Sequence, residues 1–268
     1  MTTKSFRECV VLSFLVSASL SACDPETAPE EDEEGAELAF REETGTTRRG
    51  GGGTFINNGL HDPQVGGFDE TKPLSAGGFI GEALDHPDRL ATAAYVVECA
   101  LGPEQSVTTT IDGVEETFHG ALGLATEWYG EACDKDCQQW VSACVLARTN
   151  VSEQEVTLWL QADHPAIGTD SNPAYPIYEA SFFGNLFTGP GQEYMCPGLL
   201  VGPVFGQLDG RTCSNVLGGY CDFETYLACE LGRCSFEGLL TPTAVDCRPG
   251  GLLLGSKMHT ISTYVQPL

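Results

Sequence analysis

Ten cysteines fall between Cys99 and Cys247, and no other feature of the sequence restricts its folding as strongly. They are Cys99, Cys133, Cys137, Cys144, Cys196, Cys213, Cys221, Cys229, Cys234 and Cys247. In a chain exported to an oxidising compartment, ten such residues read as a framework of five disulfides whose connectivity spacing alone leaves open. The intervals contain neither the C-x2-C pairs of a zinc ribbon, nor a C-x-x-C redox pair, nor a C-x-x-C-H haem attachment. No metal and no cofactor are expected from them.

The N-terminus supplies the condition of export. Lys4 and Arg7 precede an apolar run from Cys9 to Leu20, and the small residues Ser21 and Ala22 stand before Cys23. Residues 1–22 thus have the layout of a secretory signal. The apolar run is 12 residues long, whereas a membrane-spanning helix needs about 20. Leu20-Ser21-Ala22-Cys23 resembles the bacterial lipoprotein signal, in which the cysteine becomes the lipid-bearing first residue of the mature chain. The expected partner is a lipid bilayer, held through acylated Cys23, and the expected location is the bacterial cell envelope, because more than one acyl chain anchors stably.

Residues 23–53 read as a disordered tether. Positions 24 to 53 hold ten Asp or Glu and three Arg, with almost no large apolar side chain to offset the entropy of ordering. Residues 54–268 form the head, with 54–195 expected as an α+β domain and 196–268 as the cysteine-dense C-terminal part of the same domain. The head carries 27 acidic and 8 basic residues, a net charge of −19 before histidine. Such a surface repels phosphate backbones, so nucleic acid is excluded as a partner.

Local patterns place the main elements. PDRLATAAYVVECAL, residues 87–101, sets Leu90, Ala94, Val97 and Leu101 on one helical stripe, which carries Cys99 into the core. SVTTTIDGVEETFHG predicts a hairpin turned at Asp112-Gly113, with Val107 opposite Phe118 and Ile111 opposite Val114. DKDCQQWVSACVLAR puts Cys137, Trp140, Val141, Cys144 and Val145 on one helical face. Cys137 and Cys144 are two turns apart, about 10.5 Å along the axis, so each must bond to another element. EVTLWLQAD alternates as a half-buried strand, and HTISTYVQ reads as a further strand. The fold class is therefore α+β: a disulfide-stapled globular head of short helices and antiparallel strands on a disordered acidic tether.

Three of these stretches, YVVECAL, CDKDCQQWVSACVLARTN and YPIYEASFFGNLF, resemble segments of cysteine-rich exported proteins of myxobacteria, many of them lipoproteins. The resemblance covers roughly residues 90 to 200. It implies bacterial export and a shared fold, and it carries no activity or catalytic residue with it.

The sequence has no G-x-S-x-G nucleophile elbow and no H-E-x-x-H zinc helix, so no catalytic residue can be named. A carboxylate-pair hydrolase is the enzymatic alternative and a purely structural envelope component the other. The reading favoured by the residues is a binding module for an envelope glycan or protein. Trp159, Tyr175 and Tyr178 are the candidate exposed rings, and Asp163, His164 and Asp170 the polar groups beside them. Phe182, Phe183, Leu186 and Phe187, in the same stretch, are expected in the core.

Overall fold

A computed structural model of the chain describes residues 54–56, 59–60, 63–80, 84, 87–150, 157–189, 191–199, 223–237, 243–250 and 255–267. The chain divides after Glu43, and all the described residues belong to the second unit, Thr44–Leu268. The signal, Cys23, the whole tether, Cys213 and Cys221 lie outside the described residues.

The centre of the head is a six-stranded sheet. Its strands are β1 (Thr54–Ile56), β4 (Leu158–Gln161), β5 (Ile177–Asn185), β6 (Gln192–Pro197), β7 (Glu224–Thr225) and β10 (Thr260–Val265), and their spatial order is β1-β4-β10-β5-β6-β7. All neighbours are antiparallel except β6 and β7. Two helices, α1 (Pro87–Ala100) and α2 (Lys135–Ala147), pack with the sheet in one apolar core, where Val97 and Val141 meet Leu158, Leu160, Phe182 and Ile261. The head is an α+β fold, as its patterning predicts.

Each helix starts for a local reason. Pro87 supplies a fixed φ and lacks the N–H that a first helical residue would leave unpaired. Asp134 caps α2, its Oδ1 accepting from the N–H groups of Asp136 and Cys137 at 3.0 Å each. Between the helices a hairpin of β2 (Ser106–Ile111) and β3 (Val114–His119) turns at Asp112 and Gly113, both at positive φ. Its register pairs Val107 with Phe118 and Ile111 with Val114, as the turn dictates. A run of ring contacts, Phe118–Phe79 at 5.0 Å, Phe79–Phe68 at 4.8 Å and Phe68–Trp128 at 5.7 Å, ties the hairpin to the segment before α1.

Four disulfides are present among the described residues: Cys99–Cys144, Cys133–Cys137, Cys196–Cys229 and Cys234–Cys247. Cys99–Cys144 joins α1 to α2 inside the core. Cys137 departs from expectation: it bonds not to a distant element but to Cys133, one residue before the Asp134 cap. An extended cap residue folds the chain back over the first turn, which brings Cys133 within reach.

The C-terminal region is not a separate lobe. β10 lies between β4 and β5 at the middle of the sheet. A hairpin of β8 (Ser235–Glu237) and β9 (Thr243–Val245) meets the sheet through Thr243 Oγ1, which donates to Gln161 Oε1 at 2.5 Å. Ala244 and Phe236 of this hairpin cluster with Phe183, Tyr178 and the two C-terminal disulfides. Cover on the second face explains why β4 is buried at all four residues, where alternation predicts a half-buried strand.

Candidate functional site

Trp159 and Tyr175 are both buried, at 9% and 6% exposure, which overturns their assignment to an exposed face. The segment after β4 folds back so that Trp159 Nε1 donates to the Asp170 carbonyl at 2.9 Å, and Gln161 Nε2 donates to the same oxygen at 3.0 Å. Tyr175 then stacks on Trp159 with centroids 6.3 Å apart. Asn172 holds the turn before it, its side chain accepting from Ala174 N–H at 3.0 Å. The rings are used against one another and against Tyr264, so they offer no free platform.

Tyr178 is half-buried, and a bulge decides which way it points. Thr263 pairs with Ala180, but Tyr264 pairs with Tyr178, leaving Glu179 as the extra residue. The skip puts Tyr178 beside Tyr264, 5.4 Å away, with its hydroxyl 2.6 Å from Ser181 Oγ. Ser181 Oγ is in turn 2.8 Å from Ser262 Oγ. Burial drives the Tyr178 phenol far above its ordinary range and pushes Tyr264 up to about 12, so both remain neutral donors at any physiological pH. Glu179 itself is buried and accepts from Thr263 Oγ1 at 2.6 Å. Of the six candidate residues, Trp159, Tyr175, Tyr178 and the Asp170 backbone belong to this internal network, while the Asp170 side chain is exposed.

His164 joins a different group. Its ring meets the indole of Trp140 edge-on, with centroids 4.8 Å apart, and its Nδ1 accepts from Ala166 N–H at 3.1 Å. The neutral imidazole therefore carries its proton on Nε2. On the same indole lies His259, stacked at 4.3 Å with planes 11° apart. Its Nε2 sits 3.3 Å from Asp136 Oδ1, and its backbone N–H donates to Gln139 Oε1 at 3.1 Å. Burial first, and then the neighbouring His259, hold the His164 pKa below the usual imidazole range, with Asp163 pulling partly the other way.

The result is a partly open face at the start of α2. Trp140, itself buried at 9% exposure, backs the two imidazoles, and exposed Asp136 and Asp163 border them. Only Asp163 and His164 of the predicted set are found here. Sequence reasoning misses Trp140, His259 and Asp136 because nothing in the sequence links positions 140 and 259. Trp140 reads correctly as a buried residue of α2. Chemically the face offers imidazole N–H donors, imidazole acceptors and carboxylates on a rigid aromatic base. No protein-family model, curated protein or solved structure matches this chain.

Proposed function

We propose that the chain is an exported bacterial lipoprotein, anchored in the envelope through acylated Cys23, whose head binds envelope glycan. The observation that supports binding is the Trp140–His164–His259 face with its bordering Asp136 and Asp163. Sugars present many hydroxyls on a ring, and such ligands are held by donors and acceptors fixed in place; here buried Trp140 fixes the two imidazoles rather than offering a stacking face of its own. The four buried or part-buried disulfides fit an oxidising compartment, and the acidic tether would hold the head away from the bilayer surface.

Two experiments test the two halves. Metabolic labelling with an alkyne fatty acid should mark the wild-type chain and leave Cys23→Ser unmarked; equal labelling would remove the anchor. Co-sedimentation of the purified head with peptidoglycan and exopolysaccharide should fall at least about tenfold in a His164→Ala, His259→Ala variant that still melts cooperatively. Unchanged sedimentation would sink the glycan reading, and a single defined protein captured by crosslinking from position 136 would replace glycan with a protein ligand.

A further inference from the structure

Three cysteine sulfurs converge on the face of the sheet opposite the helices, and a fourth is bonded to one of them. Cys196 comes from β6, Cys229 and Cys234 from the turn after β7, and Cys247 from the segment after β9. The sulfurs of Cys196, Cys229 and Cys234 all lie within 4.8 Å of one another, and Cys196 Sγ is 3.6 Å from Cys234 Sγ although the two are not bonded. Cys247 Sγ is bonded to Cys234 Sγ and stands outside that 4.8 Å group while the disulfide is closed, so reduction must free it before it can serve as a fourth ligand. All four residues are buried, none more than 5% exposed.

Cys229 and Cys234 belong to one turn, closed by Cys234 N–H donating to the Cys229 carbonyl, so both bonds anchor that turn, one to β6 and the other to the segment after β9. Convergence has another use. A zinc ion with Zn–S bonds of about 2.3 Å has tetrahedral sulfur–sulfur edges of about 3.8 Å, close to the separation between Cys196 and Cys234. Four thiolates around a divalent ion leave two negative charges. Arg233 precedes Cys234 and Arg248 follows Cys247. The Arg233 guanidinium is fixed by the Arg248 carbonyl at 3.0 Å and by the Tyr226 ring at 3.6 Å.

We propose that Cys196, Cys229, Cys234 and Cys247 form a convertible centre: two disulfides when oxidised, and a tetrathiolate site for a soft divalent cation of the zinc type when reduced. Reduction takes four electrons and four protons. Two equivalents of a dithiol such as dithiothreitol supply them and become two cyclic disulfides. Binding of the cation then displaces the four thiol protons. In the reverse direction two equivalents of hydrogen peroxide accept four electrons, form four waters with the protons taken up, expel the cation and restore both bonds.

The test uses the full chain, reduced anaerobically with dithiothreitol, freed of reductant and titrated with cobalt(II). One cobalt per chain is expected, with thiolate-to-cobalt charge-transfer bands and the visible bands of a tetrahedral site, and one equivalent of zinc should abolish both. Alkylation followed by peptide mass mapping should show zinc protecting these four cysteines and leaving any other reduced cysteine labelled. Cys234→Ser should weaken binding at least about a hundredfold. If that variant fails to fold, the protection map on the unaltered chain decides. Absence of stoichiometric cobalt binding, protection falling on other cysteines, or failure of these two bonds to reduce in the folded chain would each overturn the proposal.

Discussion

His259 lies flat on Trp140, ring centroids 4.3 Å apart and planes 11° apart, although 118 residues separate them in the chain. The contact fixes the start of β10 against the first half of α2, reinforced by the hydrogen bond from His259 N–H to Gln139. Replacing His259 by Ala removes one face of the indole's cover. The expected cost is about 1 kcal/mol, the usual worth of a stacked aromatic pair, read from the urea midpoint.

The lowered pKa of His164 makes stability depend on pH with a definite sign. In the unfolded chain this imidazole takes a proton near pH 6.5, and in the folded chain only at lower pH. Between the two values the unfolded state binds more protons, so stability falls as pH drops through 6.5 and levels off below the folded pKa. Thermal melts from pH 7.5 to 5 should show this slope, and His164→Gln should flatten it.

The disulfides differ in loop size and therefore in effect. Cys99 and Cys144 are 45 residues apart, whereas Cys133 and Cys137 are separated by 4. Chain-entropy arguments give about 4 kcal/mol for the first and about 2 kcal/mol for the second. Paired Cys→Ala variants should therefore lower stability in that order, and equal losses would mean that native-state packing dominates.

Arg148 enters the core at the C-terminus of α2 with its side chain 5% exposed, its guanidinium 2.5 Å from Glu98 and 3.8 Å from the centre of the Tyr95 ring. Lysine lacks both the fork and the flat face, so Arg148→Lys is not conservative here. Glu98 keeps 31% of its side chain in solvent, which screens the pair, and Glu98→Gln is expected to cost about 2 kcal/mol. Denaturant titration of both variants checks the ranking, with Arg148→Lys the more damaging.

Gly184 faces the Gln192 carbonyl oxygen, which would lie 1.9 Å from a Cβ at that position. No rotamer relieves a clash with backbone. Gly184→Ala should separate β5 from β6 and cost about 3 kcal/mol or more, seen as a collapse of the melting transition.

Local structure could be read directly where a short segment carries its own instruction. Asp112-Gly113 fixes a two-residue turn, and the register from Ser106 to His119 follows from it. The Cys137–Trp140–Val141–Cys144–Val145 spacing picks out five residues of α2 that are all buried, but the helix is buried on every side from Gln139 to Ala147, which a one-face pattern does not reveal. Burial of Trp159 and Tyr175 could not be read so, because it depends on a loop folding back to Asp170 and on Tyr264 arriving from the far end of the chain. Alternation along a strand tells which residues share a face; it does not tell whether that face is covered. The pairing of Cys137 with Cys133 was hidden for a related reason, since a helix-period argument treats the residues before the cap as outside the element.

The position of β10 sets an order on folding. It hydrogen-bonds to β4 on one side and β5 on the other, yet it follows every other strand in the sequence. Until it docks, β1–β4 and β5–β6–β7 are two unconnected ribbons, each with an open edge, while α1 and α2 are already complete and within reach of their shared disulfide. A nascent chain halted before Thr260 would thus be a helical pair beside two strand edges exposed to pairing with other chains, and the six residues Thr260–Val265 are those that convert it from an aggregation hazard into a closed sheet.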